Sequence, residues 1–138
     1  MMNEWFECKV KKVNEPYLVD ALSFTEAEER IIEERKHYMS GEFQVSDIKR
    51  ARYAELFETD DESADRWFKV KLTFITLDEK TGAEKKTSQN VLVQAADLRD
   101  AVKRLDEGMK SSMMDYVISS VAESPLLDVY HYTPKQDA

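Results

Sequence analysis

Cysteine, glycine and histidine, which form many known metal, phosphate-binding and catalytic sites, are scarce in this chain of 138 residues. Its single cysteine, Cys8, cannot form an internal disulfide, which favours a reducing cytoplasm. The three glycines stand far apart, whereas phosphate-binding loops need clustered glycines. The two histidines, His37 and His131, are 94 positions apart and with one cysteine offer no zinc-type spacing. We therefore expect no bound metal and no cofactor.

Long apolar runs and a basic charge balance are lacking as well. Hydrophobic residues make up 42% of the chain, but charges interrupt them well before the roughly 20 apolar residues that a membrane helix needs. The start, MMNEWFECKV, lacks the pattern of a secretory signal, so we expect a cytoplasmic protein without a membrane partner. With 20 basic and 28 acidic residues, the net charge of −8 repels a phosphate backbone. Nucleic-acid binding would therefore need a local basic patch.

Two stretches of the sequence match two later stretches in the same order. WFECKV from Trp5 corresponds to WFKVKL from Trp67, and YLVDALSFTEAEERI from Tyr17 corresponds to VLVQAADLRDAVKRL from Val91. The apolar blocks that follow also correspond, with only small changes of spacing. Short apolar strings recur by chance, but a collinear series of them favours an internal duplication.

Each repeat has the pattern of a ββαβ(β) unit. Alternating apolar and charged residues predict strands, and turn residues near Pro16 join the first two into a hairpin. Ser23 and Asp97 each precede a helix as its N-cap. The helices are expected to bury an apolar stripe that begins at Phe24 and at Leu98. Another strand follows each helix.

The ends of the repeats are less regular. Gly108 predicts the end of the second helix. A fourth strand is predicted at 53–57 and at 126–130, but Pro125 and the charged residues before Tyr53 leave a bend or a short helix as the alternative.

The predicted fold class is α+β, an internal duplication of a ββαβ(β) unit with antiparallel sheets and one helix per repeat. The first repeat comprises 1–58 and the second 67–132, joined by a solvated acidic linker at 59–66 and followed by a loose tail at 133–138. We expect one compact domain overall, because the length is that of one ordinary domain.

The sheet face opposite each helix carries an unusual mixture of apolar and charged residues. It is more apolar than a solvent-exposed face without a binding role would be, and more charged than a fully buried core. Packing of the two sheets on each other, or covering by loops, is one explanation, and a partner or ligand surface is the other. The candidate binding face comprises Trp5, Leu18, Trp67, Leu92, Lys69 and Lys71.

Residues with catalytic or binding chemistry form no recognisable motif. Neither histidine has a nucleophile in a known spacing, and Cys8 alternates onto the core face of its strand. The acidic linker resembles a calcium loop only in its charge. A candidate basic patch for single-stranded nucleic acid comprises Lys49, Arg50, Arg52 and Tyr53, with a solvated surface as the alternative.

Three longer strings carry a resemblance to a known family: EPYLVDALSFTEAEERIIEE, GEFQVSDIKRARYAELF and ADRWFKVKLTFITLDEKTGAEKK. Together they resemble an uncharacterised family, a domain of unknown function found in Bacteroidetes and in their phages and mobile elements. The resemblance implies an intracellular protein linked to such elements. It implies no catalytic residue and no substrate.

These patterns favour a small cytoplasmic binding or interaction protein that is not an enzyme. Its partner would be a host protein or a small molecule, bound through a pseudo-symmetric face, and a homo-oligomer is also compatible with that symmetry. The alternative is a nucleic-acid-binding accessory protein that uses the local basic patch.

Overall fold

The computed structural model describes residues 4–10, 15–38, 44–112 and 115–132. The expected tail at 133–138 lies outside the described residues. In chain order the elements are β1 (Glu4–Val10), β2 (Glu15–Ala21), α1 (Phe24–Arg35), β3 (Val45–Ala51), β4 (Glu55–Phe57), β5 (Arg66–Leu77), β6 (Glu84–Ala95), α2 (Leu98–Gly108), β7 (Tyr116–Ser124) and β8 (Asp128–Tyr130).

The chain divides into two compact units. Unit 1 comprises Met1–Arg52 together with Pro125–Ala138, and unit 2 comprises Tyr53–Ser124. This division differs from the expected single domain with halves at 1–58 and 67–132. Unit 1 is therefore made of two separate pieces of sequence, whereas unit 2 is one continuous piece.

Unit 1 is a four-stranded sheet in the order β3-β1-β2-β8 with α1 packed on one face. β1 pairs antiparallel with both β2 and β3, and β8 runs parallel to β2. Alternate residues of β1 and β2 point towards the helix; β1 has this one buried row, whereas β2 is buried on both faces. The core of unit 1 consists of Phe6, Cys8, Val10, Tyr17, Val19, Ala21, Ala27 and Ile31.

Unit 2 is a second four-stranded sheet, in the order β4-β6-β5-β7, with α2 against it. Its central hairpin is long, because β5 and β6 each have 12 residues and pair antiparallel along their whole length. β7 pairs antiparallel with β5, and β4 runs parallel to β6. The core of unit 2 consists of Phe68, Val70, Leu72, Phe74, Val91, Val93, Ala95, Ala101 and Leu105.

Both helices begin at the predicted N-caps. The Ser23 side chain accepts a hydrogen bond from the backbone N–H of Glu26, and the Asp97 side chain accepts one from Asp100. Phe24 and Leu98, however, are 43% and 50% exposed, so the buried stripes do not begin with them. The Phe24 ring still contacts Phe6 of the core edge-on, with 5.0 Å between ring centroids, while part of it remains exposed.

The short strands β4 and β8 lie in the sheets of the opposite repeats from those in which they were expected. β3 and β2 point the same way, because both are antiparallel to β1. A fourth strand parallel to β2 would thus also be parallel to β3, and a parallel connection needs a crossover of a dozen residues or more. Only three residues, 52–54, join β3 to β4, and only three, 125–127, join β7 to β8. Neither short strand can therefore run parallel to the second strand of its own repeat, and β4 instead pairs with β6 and β8 with β2.

The mixed α+β class, with two helices and two largely antiparallel sheets, is confirmed in the described part of the chain. Neither helix in those residues combines the length and the apolar character required to cross a membrane.

Candidate functional site

The candidate site is a groove in unit 2, with a volume of about 440 Å³, where β4 meets the second half of α2. We call it the α2 groove. It is lined by Leu56, Phe57, Glu58, Thr59, Gln94, Arg104, Glu107 and Gly108.

The floor of the α2 groove is aromatic because β4 directs the Phe57 side chain towards the helix and the core of unit 2. β4 pairs with β6 so that Leu56 lies beside Leu92 and Phe57 beside Val93. At the end of α2, Gly108 leaves room for the aromatic ring: a Cβ atom at this position would lie 2.6 Å from Phe57 Cε1. Glycine thus allows the helix to approach the strand more closely than any other residue would.

One side of the groove is a loop fixed by the side-chain amide of Gln94. Its Oε1 accepts a hydrogen bond from the Thr59 backbone N–H at 3.1 Å, and its Nε2 donates to the Ala64 carbonyl at 3.0 Å. The Ala64 side chain is buried. Gln94 therefore holds both ends of the segment between Thr59 and Ala64 against β6.

Asp61 organises the middle of the same loop. One of its oxygens accepts hydrogen bonds from the Ser63 backbone N–H and hydroxyl, at 3.0 and 2.7 Å. The other accepts one from Arg104 Nη2 at 2.8 Å. These bonds favour the charged carboxylate, so the Ser63 contacts, followed by Arg104, lower the pKa of Asp61 to about 2.

Arg104 joins the loop to α2. Its Nε donates to Asp100 Oδ2 at 2.8 Å, one helical turn away, while its Nη2 reaches Asp61. Asp100 also accepts a hydrogen bond from the Ala96 backbone N–H at 2.9 Å; this bond, followed by the one from Arg104, lowers the pKa of Asp100. The guanidinium is thus bound to two carboxylates.

Most residues of the expected linker 59–66 are exposed, but the segment is tied to unit 2 at several points. Thr59, Asp61 and Ser63 hydrogen-bond within the loop, and Gln94 and Arg104 bind it to β6 and α2. Acidic composition alone does not distinguish a free linker from a loop whose carboxylates are bound.

A sequence model of one family, a domain of unknown function (DUF4494), matches residues 3–132. The chain belongs to this family. The match confirms the expected membership of a family of unknown function. No curated protein and no solved structure matches the DUF4494 chain.

In the DUF4494 chain, the predicted binding face lies on the expected side of each sheet but is largely covered. Leu18 and Leu92 are fully buried and Trp67 is 5% exposed. Trp5 is half-buried, and its ring contacts His131 edge-on, with 5.1 Å between ring centroids. Of the six predicted residues only Lys69 and Lys71 are exposed. Leu18, Leu92 and Trp67 therefore do not form an open contact surface in the folded chain.

The predicted basic patch is partly neutralised by β1. Lys49 Nζ lies 3.1 Å from a Glu7 carboxylate oxygen, and Arg50 Nε lies 3.6 Å from Glu4. Arg52 is exposed and Tyr53 is half-buried. Two of the three cations thus face carboxylates that would have to be displaced or screened before a phosphate could bind.

The histidines lie outside the groove. His37 is exposed after the end of α1, and His131 follows β8 in unit 1. Among the described residues, no group of three or more His, Cys, Asp or Glu side chains is arranged to hold a metal ion.

The residues that form the groove were visible in the sequence, but not as a site. The spacing of Asp100 and Arg104 is that of a helical ion pair, and Asp61 followed by Ser63 is typical of a turn in which the aspartate caps its own loop. No local pattern indicates that Arg104 meets Asp61 across 43 positions, or that Phe57 meets Gly108.

Proposed function

We propose that the protein is a non-enzymatic binding protein that takes a positively charged organic group in the α2 groove. The observation that carries the proposal is the combination of an apolar, aromatic floor with an excess of carboxylates around it.

The floor suits the carbon part of such a ligand. The Phe57 ring and the Cα of Gly108 present apolar surface, and aromatic rings attract organic cations through their π-electrons. A volume of about 440 Å³ lies in the range of sites for small ligands, roughly 300–1,000 Å³.

The charges favour a cation and disfavour an anion. The groove contains one cation, Arg104, whose guanidinium is bound to Asp61 and Asp100. Glu58 and Glu107 add two carboxylates to the lining. The chain as a whole carries −8, which raises the local concentration of positively charged ligands.

The chemistry of the ligand is therefore an alkylammonium or alkylguanidinium group. A lysine or arginine side chain of a partner protein and a small organic amine share this chemistry. The alternative of nucleic-acid binding gains no support from the basic patch, because Lys49 and Arg50 face Glu7 and Glu4.

We further propose that the chain arose by duplication, acts in the cytoplasm and belongs to Bacteroidetes or their mobile elements. The duplication is supported by the strand orders, since β3-β1-β2-β8 and β7-β5-β6-β4 place corresponding strands in corresponding positions. The cytoplasmic location is supported by Cys8, a buried free thiol. The proposed origin in Bacteroidetes or their mobile elements is supported by the three sequence strings that carry the family resemblance.

The test is a titration of isotopically labelled protein with n-butylammonium and n-butylguanidinium, followed by NMR. Both cations are expected to shift the Gln94 side-chain amide and the Gly108 backbone amide, whereas n-butanol and butyrate leave them in place. A lysine-containing peptide that binds more tightly than both free cations would identify a partner protein as the source of the group.

Two double variants make the test specific. Glu58→Gln with Glu107→Gln should weaken binding several-fold, since it removes two carboxylates from the groove. Glu79→Gln with Glu84→Gln, at the distant tip of the β5–β6 hairpin, lowers the total charge equally and should leave the affinity nearly unchanged. Equal losses in the two variants would show general attraction to an acidic protein and would contradict the proposal.

A further inference from the structure

In the described part of the chain the two sheets have four edge strands, and in three of them short length or charge discourages pairing with another chain. β4 and β8 have only three residues each. β3 carries Asp47, Lys49 and Arg50, and charged residues on an edge oppose the addition of a strand. The remaining edge strand, β7, has nine residues and no proline, lysine or arginine.

The composition of β7 favours pairing with a further strand. The residues 116–122 contain no charge, and Glu123 is the strand's only charged residue. Val117 is 51% exposed, while Tyr116, Ile118 and Val121 are half-buried against the core of unit 2. A strand added beside β7 would cover these side chains and satisfy the row of backbone groups that an edge strand presents.

We propose that β7 is the site where a second copy of this chain adds its own β7 as an antiparallel neighbour. The four-stranded sheet of unit 2 would then continue into that of the second copy. This interface is independent of the α2 groove, because β7 and β4 lie at opposite edges of the sheet.

The charge distribution favours a second copy as the occupant. Two chains of −8 repel each other overall. Because 116–122 carries no charge, two copies of β7 would nevertheless pair there without like charges facing one another. Antiparallel pairing also places the two copies of Glu123 at opposite ends of the new ladder. Each Glu123 already lies 3.6 Å from Arg66 on the neighbouring strand. A basic partner would find no carboxylate along 116–122.

A bulge limits how strong this pairing can be. Ser120 lies opposite Lys71 and Ile118 opposite Leu72, so Ser119 is an extra residue in β7. Its hydroxyl lies 2.5 Å from that of Thr73. Bulges increase strand twist and interrupt a ladder, so the new pair would be short and the dimer weak.

Sedimentation equilibrium over a wide range of concentration tests the proposal. The wild-type chain is expected to pass from monomer to dimer as its concentration rises. Val117→Lys with Ala122→Lys should remain monomeric, because charges on the edge oppose pairing. Val117→Thr with Ala122→Thr is the matched control: it changes the same two exposed positions without adding charge and should still dimerise.

Hydrogen exchange of the wild-type chain provides a second readout that needs no substitution. The amides of β7 should exchange more slowly at high than at low concentration, while those of β3 should not change. A wild-type chain that stays monomeric at every concentration would overturn the proposal. So would lysine variants that dimerise normally, or protection that appears at β3 and not at β7.

Discussion

Gly108 and Phe57 are in such close contact that a single methyl group would separate them. A Cβ atom on Gly108 would lie 2.6 Å from Phe57 Cε1 and 2.7 Å from Cδ1. We expect Gly108→Ala to destabilise the protein by about 1–2 kcal/mol, because the cost of overpacking exceeds the better helix propensity of alanine. Denaturant unfolding monitored by circular dichroism measures the change.

The double variant Gly108→Ala with Phe57→Leu separates packing from backbone effects. Leucine lacks the ring atoms that the new methyl group would meet, so the double variant should be less destabilised than the sum of the two single changes. Strict additivity would mean that the contact does not explain the need for glycine.

Arg104 is expected to control the order of the loop from Thr59 to Ala64. Arg104→Gln removes the bonds to Asp61 and Asp100 while keeping a helix-forming side chain. The loop amides should then exchange several-fold faster with deuterium, whereas the core strands are little affected. Arg99→Gln, an exposed substitution on the same helix, should leave the loop unchanged. Equal effects of the two variants would exclude a specific role for Arg104.

The loop should also lose its order in acid. The Ser63 and Arg104 contacts lower the pKa of Asp61 from 3.8 to about 2 in the folded chain. A lowered pKa contributes stability that is fully present above pH 3.8 and is lost as the pH falls towards 2. The Ser63 amide resonance should follow this titration, and Asp61→Asn should abolish the pH dependence. A midpoint near 4 would mean that the contacts do not persist in solution.

Tyr130 is expected to hold β8 in unit 1. Its ring stacks on Tyr17 with 5.9 Å between centroids, and its hydroxyl accepts a hydrogen bond from Arg35 Nη1 at 3.3 Å. Because Tyr130 is half-buried, we expect Tyr130→Ala to cost about 2–3 kcal/mol of unfolding free energy. Tyr130→Phe keeps the stacking and should cost only about 0.5–1.5 kcal/mol. A larger loss from phenylalanine than from alanine would contradict this assignment.

Cys8 should be unreactive until unit 1 opens. The side chain is fully buried in the core of unit 1, and burial raises the pKa of its thiol to about 12. Iodoacetamide at neutral pH should therefore label the native chain very slowly and the urea-unfolded chain rapidly, since the thiolate is the reactive form. Because the chain has one cysteine, the labelling rate reports unit 1 alone. Rapid labelling without denaturant would contradict its burial.

The local elements of the fold could be predicted because their signals are local. Ser23 and Asp97 are short acceptors placed before apolar periodic segments, and each caps its helix as expected. The alternation from Phe6 to Val10 predicts one face of β1, and that face is buried. The period of a sequence determines which side of an element is apolar without reference to the rest of the chain.

The sequence indicated the short strands but did not determine the sheet in which each of them pairs. Repeat matching suggested that 53–57 would pair within its own repeat. A connection of three residues, 52–54, is too short for a parallel crossover to β2, but it would allow an antiparallel hairpin with β3. Connection length excludes one pairing within the repeat and does not by itself indicate the exchange that the structure shows.

The candidate site was the least predictable part. Gln94 was recognised only as a polar residue on a mixed sheet face, yet it binds backbone atoms of Thr59 and Ala64. For the face that carries Leu18 and Leu92 the sequence left a covered face and a binding surface as alternatives, and both residues are buried. Alternation predicts the side of a sheet on which a residue lies, but not whether another part of the chain covers that side.

The divided sequence of unit 1 affects the order in which the protein can form during its synthesis. A ribosome releases residues 53–124 as one uninterrupted length, and these contain every strand and the helix of unit 2. Unit 1, although most of it is translated earlier, cannot acquire β8 until Tyr130 has emerged. Until then the edge of β2 and the ring of Tyr17 lack their final neighbour. Most of unit 1 is therefore translated before unit 2 but completed after it.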